Sequence, residues 1–232
     1  MSGAGGWLTH PLLAAQGVAH GFGTRAATPP AALVRPRQVH GARVVVLTEA
    51  GALPEALGEA DAVVSERASL PIGVVTADCL PILVATPAGR VAAVHAGWRG
   101  LAAGVIARAL EALGGLAPEG VSGAAAVIGP RVGPGCYEVD APVVDALARR
   151  FGSALDAALA PDRPGHWRLD LAALARVDLV RGGVAEARIA ALERACTACD
   201  AERFHSYRRD GPGSGRLFHW IAARGNGAPE RT

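Results

Sequence analysis

The chain has 232 residues; half are hydrophobic and 19% charged, a composition that builds a core and excludes a disordered chain. All 23 cationic side chains are arginine, interleaved with 21 acidic ones to a net charge of +2, so no basic run marks a nucleic-acid surface. No stretch of about 20 apolar residues is present to span a membrane, and Met1 to Leu13 lacks the basic and apolar regions of an export signal, which predicts a cytoplasmic protein with reduced cysteines.

In chain order, residues 26–37 are rich in Ala, Pro and Arg and read as loop. Arg43 to Leu47 and Ala62 to Ser65 read as short strands. Ile72 to Thr76, Ile82 to Ala85 and Val91 to Val94 are apolar runs separated by turn residues, which predicts adjacent buried strands, the last two joined by a hairpin at Pro87-Ala88-Gly89. Leu101 to Leu113 repeats with helical spacing and stops at Gly114-Gly115. Ala124 to Ile128 is again a strand. Asp140 reads as the N-cap of a helix to about Phe151, with Pro142 tolerated in its first turn. Asp170 opens another helix to about Arg181, and Glu186 to Ala195 reads as its helical continuation. Leu217 to Ala223 is a terminal strand, and residues 225–232 read as frayed. Strands and helices mix without regular βαβ alternation, which predicts an α+β, mixed α/β sandwich over 1–232 rather than a Rossmann domain or a barrel.

Three residues stand where strands end in tight turns, the places where rigid scaffolds present functional groups. His40 lies in Arg37-Gln38-Val39-His40-Gly41, Cys79 in Thr76-Ala77-Asp78-Cys79-Leu80-Pro81, and His95 in Val94-His95-Ala96-Gly97-Trp98-Arg99-Gly100. Two imidazoles and one thiolate form a three-ligand zinc set with a fourth position open, and such a metal brings the pKa of water toward about 7. The spacing alone leaves two other readings open: Cys79 as a small buried residue, or as a nucleophile with His95 as its base in a metal-free hydrolase or deamidase. His10, His20, His166 and His219 read as structural or solvent-exposed. Cys136 reads as structural, and Cys196-x-x-Cys199, with no second pair or nearby His, is not read as a second zinc site.

His20-Gly21-Phe22-Gly23-Thr24-Arg25, Gln38-Val39-His40-Gly41, Asp61-Ala62-Val63-Val64, Thr76-Ala77-Asp78-Cys79-Leu80-Pro81-Ile82, His95-Ala96-Gly97-Trp98-Arg99-Gly100, Ile128-Gly129-Pro130, Tyr137-Glu138-Val139, Cys196-Thr197 and Ser206-Tyr207-Arg208-Arg209-Asp210 occur in that order. Through these motifs the chain resembles the YfiH family, long described as laccase-domain or polyphenol oxidase proteins and later as purine nucleoside phosphorylases. The resemblance implies His40, Cys79 and His95 as zinc ligands. It implies phosphorolysis of adenosine, inosine, guanosine and 5′-methylthioadenosine, deamination of adenosine, and a four-layer α/β/β/α sandwich shared with some cysteine-based toxin deamidases. It also permits editing of cell-wall precursors. Purine nucleosides and phosphate are then the partners, with no nucleic acid and no membrane. The chain departs from the family in two places: only Ala26 to Arg37 separates the first two motifs, where the family usually has a longer stretch, and His205 stands where Phe is usual.

Within this frame Arg99 is the first candidate for phosphate, with Arg208, Arg209 and Arg25 behind it, each otherwise a fold-stabilising ion pair. Asp78 and Glu138 are the candidate proton-transfer groups, or else orient neighbouring backbone. Copper is the metal of the family's older name, but the seven histidines include no His-x-His pair, which disfavours a multicopper oxidase. A non-catalytic metal-binding protein is the remaining alternative.

Overall fold

The computed structural model of the chain describes residues 4–225, so the expected fraying beyond Gly225 lies outside the described residues. Among these, the strands are β1 (Trp7–Leu8), β2 (Ala19–Gly23), β3 (Val44–Leu47), β4 (Ala62–Ser65), β5 (Pro71–Thr76), β6 (Leu80–Ala85), β7 (Val91–Ala96), β8 (Ala125–Ile128), β9 (Glu138–Asp140), β10 (Leu159–Pro161), β11 (His166–Leu169), β12 (Ile189–Ala191) and β13 (Leu217–Ala222). The helices are α1 (Pro11–Ala14), α2 (Trp98–Ala102), α3 (Val105–Leu116), α4 (Ala141–Phe151), α5 (Leu171–Arg181) and α6 (Tyr207–Asp210).

A six-stranded sheet runs β12-β8-β6-β7-β4-β3, with parallel pairs at both ends and antiparallel pairs between. A four-stranded antiparallel sheet runs β1-β2-β13-β5, and a small one β10-β11-β9. The period of two along a strand builds the stack. Leu80, Ile82 and Val84 of β6, with Ala92 and Val94 of β7, share one core with Leu101 of α2, Ile106 and Leu113 of α3, Leu147 of α4 and Leu174 of α5. The alternate residues Leu83, Ala85, Val91 and Ala93 share a second core with Phe22, Ile72, Val74, Leu217 and Ile221 of the smaller sheet. Burial on both faces is why β6 and β7 read as continuous apolar runs, and each fully buried Val, Leu or Ile contributes about 1.5–3 kcal/mol. On the outer face of the smaller sheet, Trp7, Trp220 and Leu33 of the 24–37 loop sit over Gly21 and Gly73.

The mixed α/β class matches the sequence reading, and three details differ. The run from Ile72 to Thr76 does not neighbour β6: it pairs with β13, from Leu217↔Thr76 to Ala222↔Pro71, so the chain crosses from one stacked sheet to the other through Ala77-Asp78-Cys79. The expected helix from Leu101 to Leu113 is two helices, because Gly104 takes a left-handed turn at φ 81° that ends α2 before α3 begins. The expected helix from Glu186 to Ala195 is one 3-10 turn and then β12. Helix-forming residues there yield to pairing of Ile189 to Ala191 with Ala126 to Ile128 of β8. Asp140 does precede α4 but gives no side-chain cap, whereas Asp170 accepts from the N–H groups of Ala172 and Ala173. No described helix is long and apolar enough to cross a membrane.

Candidate metal centre and its cleft

Four segments meet at one end of the stacked sheets. β7 carries His95 near its last position, 3% exposed. The crossover from β5 to β6 carries Cys79, and the turn before β3 carries His40. The ligand atoms of these three residues all lie within 4.8 Å of one another, and the two imidazole rings meet edge to face at 4.8 Å between centroids. Gly97 is required beside them: a Cβ there would lie 2.9 Å from Cys79 Sγ and 3.3 Å from His40 Cδ2.

The fourth segment supplies Asp61, fully buried just before β4. Its carboxylate accepts from the N–H of Val39 at 3.3 Å, His40 at 2.9 Å and Gly41 at 2.6 Å, and pairs with His95 Nδ1 at 2.8 Å. Its carbonyl also accepts from the His95 N–H at 2.8 Å. One carboxylate thus shapes the His40 turn, including the left-handed His40 at φ 59°, and fixes the His95 ring so that its other nitrogen, Nε2, is the one available to a metal ion. A left-handed non-glycine residue costs on the order of 1–3 kcal/mol and persists only where its surroundings hold it. Gln38 pins the same segment from the other side. Its side-chain amide exchanges two hydrogen bonds of 2.7 Å with the backbone of Val75.

Asp78 is also left-handed, at φ 91°. Its Oδ1 accepts from Thr197 Oγ1 at 2.5 Å and its Oδ2 from the Arg208 N–H at 2.6 Å, while its carbonyl accepts from the Val132 N–H at 3.0 Å. Both carboxylate oxygens are therefore engaged in holding the Cys79 turn against the Thr197 and Tyr207–Asp210 segments.

The electrostatics follow from this packing. Burial pushes the Asp61 carboxyl up, but hydrogen bonds from His95, Gly41 and Val39 outweigh it and hold the group below its ordinary value. Burial likewise raises the Cys79 thiol, yet hydrogen bonds from His40 and His95 and their positive charge bring it down to about 6. Burial lowers His95, and its bonds to Asp61 and Cys79 raise it to about 9. With no ion held, the pair is thiolate and imidazolium between those two values: the thiolate is lost as pH falls through about 6, and the imidazolium as pH rises through about 9. Alkylation of chelator-treated protein is accordingly expected to rise with pH through a midpoint near 6 rather than 9 at Cys79, and added zinc is expected to suppress it. Mass-mapped labelling across pH checks both; a midpoint near 9 contradicts the first.

A cleft of about 860 Å³ opens over these residues. It is lined by His40, Cys79 and His95, by Asp78, and by a cationic and aromatic wall that includes Arg99, Arg208, Tyr137 and Tyr207. Arg99 is exposed, its guanidinium 4.4 Å over the Trp98 ring, and among the described residues no carboxylate forms an ion pair with it. Arg208 lies over the Tyr137 ring at 5.2 Å and donates to the Glu138 carbonyl at 2.9 Å. Three of the expected residues are not in the lining. Arg25 donates to the Ala201 carbonyl at 2.8 Å. Arg209 is spent on the carbonyls of Thr197 and Phe204 and on the Asp210 carboxylate, at 2.7–2.9 Å. Glu138 pairs with Arg163 at 2.8 Å, which holds its carboxyl down at about 2.

Sequence reasoning passed over Asp61 and Gln38, although both stood in the motifs already noted, and over Arg35, Arg37 and Arg216, which add cations to the cleft. It also kept Cys136 apart from Cys196 and Cys199, whose thiols the fold brings together away from the cleft.

A family model described as multi-copper polyphenol oxidoreductase laccase matches residues 19–224. A protein of Xylella fastidiosa (strain Temecula1) named purine nucleoside phosphorylase is 41% identical over 180 residues, 75% of this chain and 66% of that protein, slightly under two thirds of its length. Purine nucleoside phosphorylase YlmD of Geobacillus stearothermophilus is 35% identical over 197 residues, 81% of this chain and 70% of that one. Adenosine deaminase RL5, from an unknown prokaryotic organism, is 39% identical over 196 residues, 82% of this chain and 74% of that one. The crystal structure of YlmD from Geobacillus stearothermophilus superposes with a TM-score of 0.84 at 28% identity, covering 97% of this chain and 98% of that one.

Proposed function

The chain belongs to the family described as multi-copper polyphenol oxidoreductase laccase, and from that premise we propose that it is a zinc-dependent purine nucleoside phosphorylase that also deaminates adenosine and cleaves 5′-methylthioadenosine. The observation that carries this reading is the convergence of His40, Cys79 and His95 at the floor of a cationic cleft. The names of the relatives, purine nucleoside phosphorylase and adenosine deaminase, support it.

The residues fit a zinc-type ion. Two nitrogens and a thiolate are a mixed donor set for zinc, Asp61 fixes the His95 tautomer, and Gly97 keeps the space beside Cys79 clear. Bound there, zinc supplies Lewis acidity that makes water a nucleophile near neutral pH. A copper oxidase fits less well, because the seven histidines contain no His-x-His pair for a multinuclear cluster.

In phosphorolysis an oxygen of phosphate bonds to the ribose C1′ as the bond to the purine nitrogen breaks, giving the free base and ribose 1-phosphate. Arg99 and Arg208 hold the phosphate and balance its charge, with Arg35, Arg37 and Arg216 adding positive potential at the mouth. Tyr207, 52% exposed on the rim, offers a flat face to the purine. Asp78 acts as a positioning residue: it holds the Arg208 backbone against the Cys79 turn. In deamination water adds at C6 and ammonia leaves, with no phosphate required.

Incubation of purified protein with adenosine, with and without phosphate, tests the proposal. Adenine formed only with phosphate reads phosphorolysis; inosine formed in either case reads deamination; the absence of both overturns the reading. Arg99→Ala is expected to raise the KM for phosphate about 10–100-fold while changing deamination by less than about threefold. Equal losses in both reactions would remove Arg99 from the phosphate site.

One observation favours a second reading. A thiol brought down to about 6 beside His95 is also the pattern of a metal-free cysteine hydrolase or deamidase. Full nucleoside activity after exhaustive chelation, abolished by alkylation, would select it.

A further inference from the structure

We propose that Cys136, Cys196 and Cys199 form a second, solvent-facing site for a thiophilic divalent cation of the zinc class. The three thiols come from segments about 60 residues apart: Cys136 ends the 3-10 turn Pro134–Cys136, and Cys196 and Cys199 flank the turn that follows β12. Their sulfurs all lie within 4.8 Å of one another, with Cys136 Sγ 3.1 Å from Cys199 Sγ. Ligand sulfurs about 2.3 Å from a tetrahedral zinc stand about 3.8 Å apart, a spacing that lies between the 3.1 Å of the Cys136–Cys199 pair and the 4.8 Å limit of the cluster.

The surroundings of Cys196 favour a thiolate. The Gly133 N–H donates to Cys196 Sγ at 3.2 Å, and a Cβ on Gly133 would press on Cys196 Cβ and Sγ at 3.3 Å. Backbone bonds fix the two segments to each other independently of the sulfurs: Arg131 N–H to the Ala195 carbonyl at 3.1 Å and Thr197 N–H to the Arg131 carbonyl at 2.9 Å. The thiols are therefore held in place before any ion arrives. Cys199 is exposed and Cys136 and Cys196 are half-buried, so an ion has a path in and takes its fourth ligand from solvent. Binding displaces the thiol protons to the medium and forms three metal–sulfur bonds, with no change of oxidation state.

None of the three lines the cleft, yet two of them directly precede a residue that lines or braces it. Cys136 precedes Tyr137 in the cleft wall. Cys196 precedes Thr197, whose hydroxyl donates to Asp78. The ion would tie these two supports together from behind, which makes it a brace for the substrate site rather than part of its chemistry.

The test is metal uptake by reduced, chelator-stripped protein titrated with zinc chloride and, separately, cobalt chloride. Cys79→Ser is expected to retain one equivalent at the three-cysteine site, with about three quarters of the wild-type thiolate-to-cobalt charge-transfer intensity, since three of the four thiolates in the two sites remain. Adding Cys136→Ser and Cys199→Ser to that variant is expected to abolish the remaining equivalent and the band. No uptake by Cys79→Ser, or uptake unchanged by the added substitutions, overturns the proposal. So does a Cys136–Cys199 disulfide that forms in air in the presence of excess zinc. Failure of the first centre reads differently: wild type and Cys79→Ser would then bind the same number of ions.

Discussion

Cys79→Ala is expected to lose one equivalent of bound metal and at least about 10³-fold in both phosphorolysis and deamination, because the cation that would activate water for deamination and add positive charge beside the phosphate is no longer held. The thiolate is the single anionic ligand of the proposed set, and it is placed by the crossover between stacked sheets rather than by a regular element. His40 and His95 remain, but two neutral imidazoles without the thiolate are a poor zinc site. The fold is expected to survive. Cys79 is half-buried and opens on the cleft, and the turn is held by Asp78 through Thr197 and Arg208. Cys79→Ser keeps the volume, does not supply a thiolate, and is expected to fail equally. Metal analysis, circular dichroism and the adenosine assay on the same preparations check each part. Retention of both activities by either variant would detach this site from the chemistry.

Asp61→Asn is expected to weaken metal binding about 10–100-fold and to destabilise the protein by about 3–5 kcal/mol. The carboxylate is fully buried and meets four donors, three backbone N–H groups and the His95 ring. A carboxamide offers one acceptor oxygen, and its NH₂ faces N–H groups, so donors are left buried and unpaired. The His40 turn, already left-handed, loses what holds it. A loss of that size lowers Tm by roughly 6–20 °C in a chain of this length. There is also an expected pH signature. Because the native carboxyl sits below its ordinary value, its contribution is complete above that ordinary value and disappears as pH falls through the lowered one. Wild type should therefore show an acid limb in stability that the variant lacks. Calorimetry from neutral to acid pH and competition with a chelator read the two effects; wild-type metal affinity in the variant would remove Asp61 from ligand orientation.

The two substitutions also mark how far the sequence could be read. β6, β7 and β8 were legible because burial on both faces leaves only apolar residues in them, apart from His95 near the end of β7. β2 was not: Ala-His-Gly-Phe-Gly has the wrong chemistry for a strand taken alone, and its glycines make sense only beneath Trp7 and Trp220 and against the Phe218 carbonyl. β12 was read as helix because its residues suit a helix and its partner β8 lies some 60 positions away. The same division runs through the site. His40, Cys79 and His95 carry their chemistry on their side chains and stand in recognisable turns. Asp61 is an ordinary acidic residue before a strand until the pairing of β4 with β7, Ala62 against Val94, brings it to His95. Glu138 was drawn into the candidate site by nearness in sequence and Arg209 by its motif, whereas Glu138 is taken by Arg163 and Arg209 by the Thr197 and Phe204 carbonyls and the neighbouring Asp210. The three-cysteine cluster was invisible for a related reason: only the pairing of Arg131 with Cys196 folds its two halves together.

The single carboxylate behind both histidines has one further result. A ligand set is usually treated as three independent arms, each able to adjust to the ion it meets. Here one anchor serves two of the arms: Asp61 fixes the His95 ring and the His40 backbone, while the exposed His40 imidazole can still turn about its own side-chain bonds. An ion of different radius would then be met by rotation of the His40 ring and by the Ala77-Asp78-Cys79 crossover, with the His95 ring staying fixed.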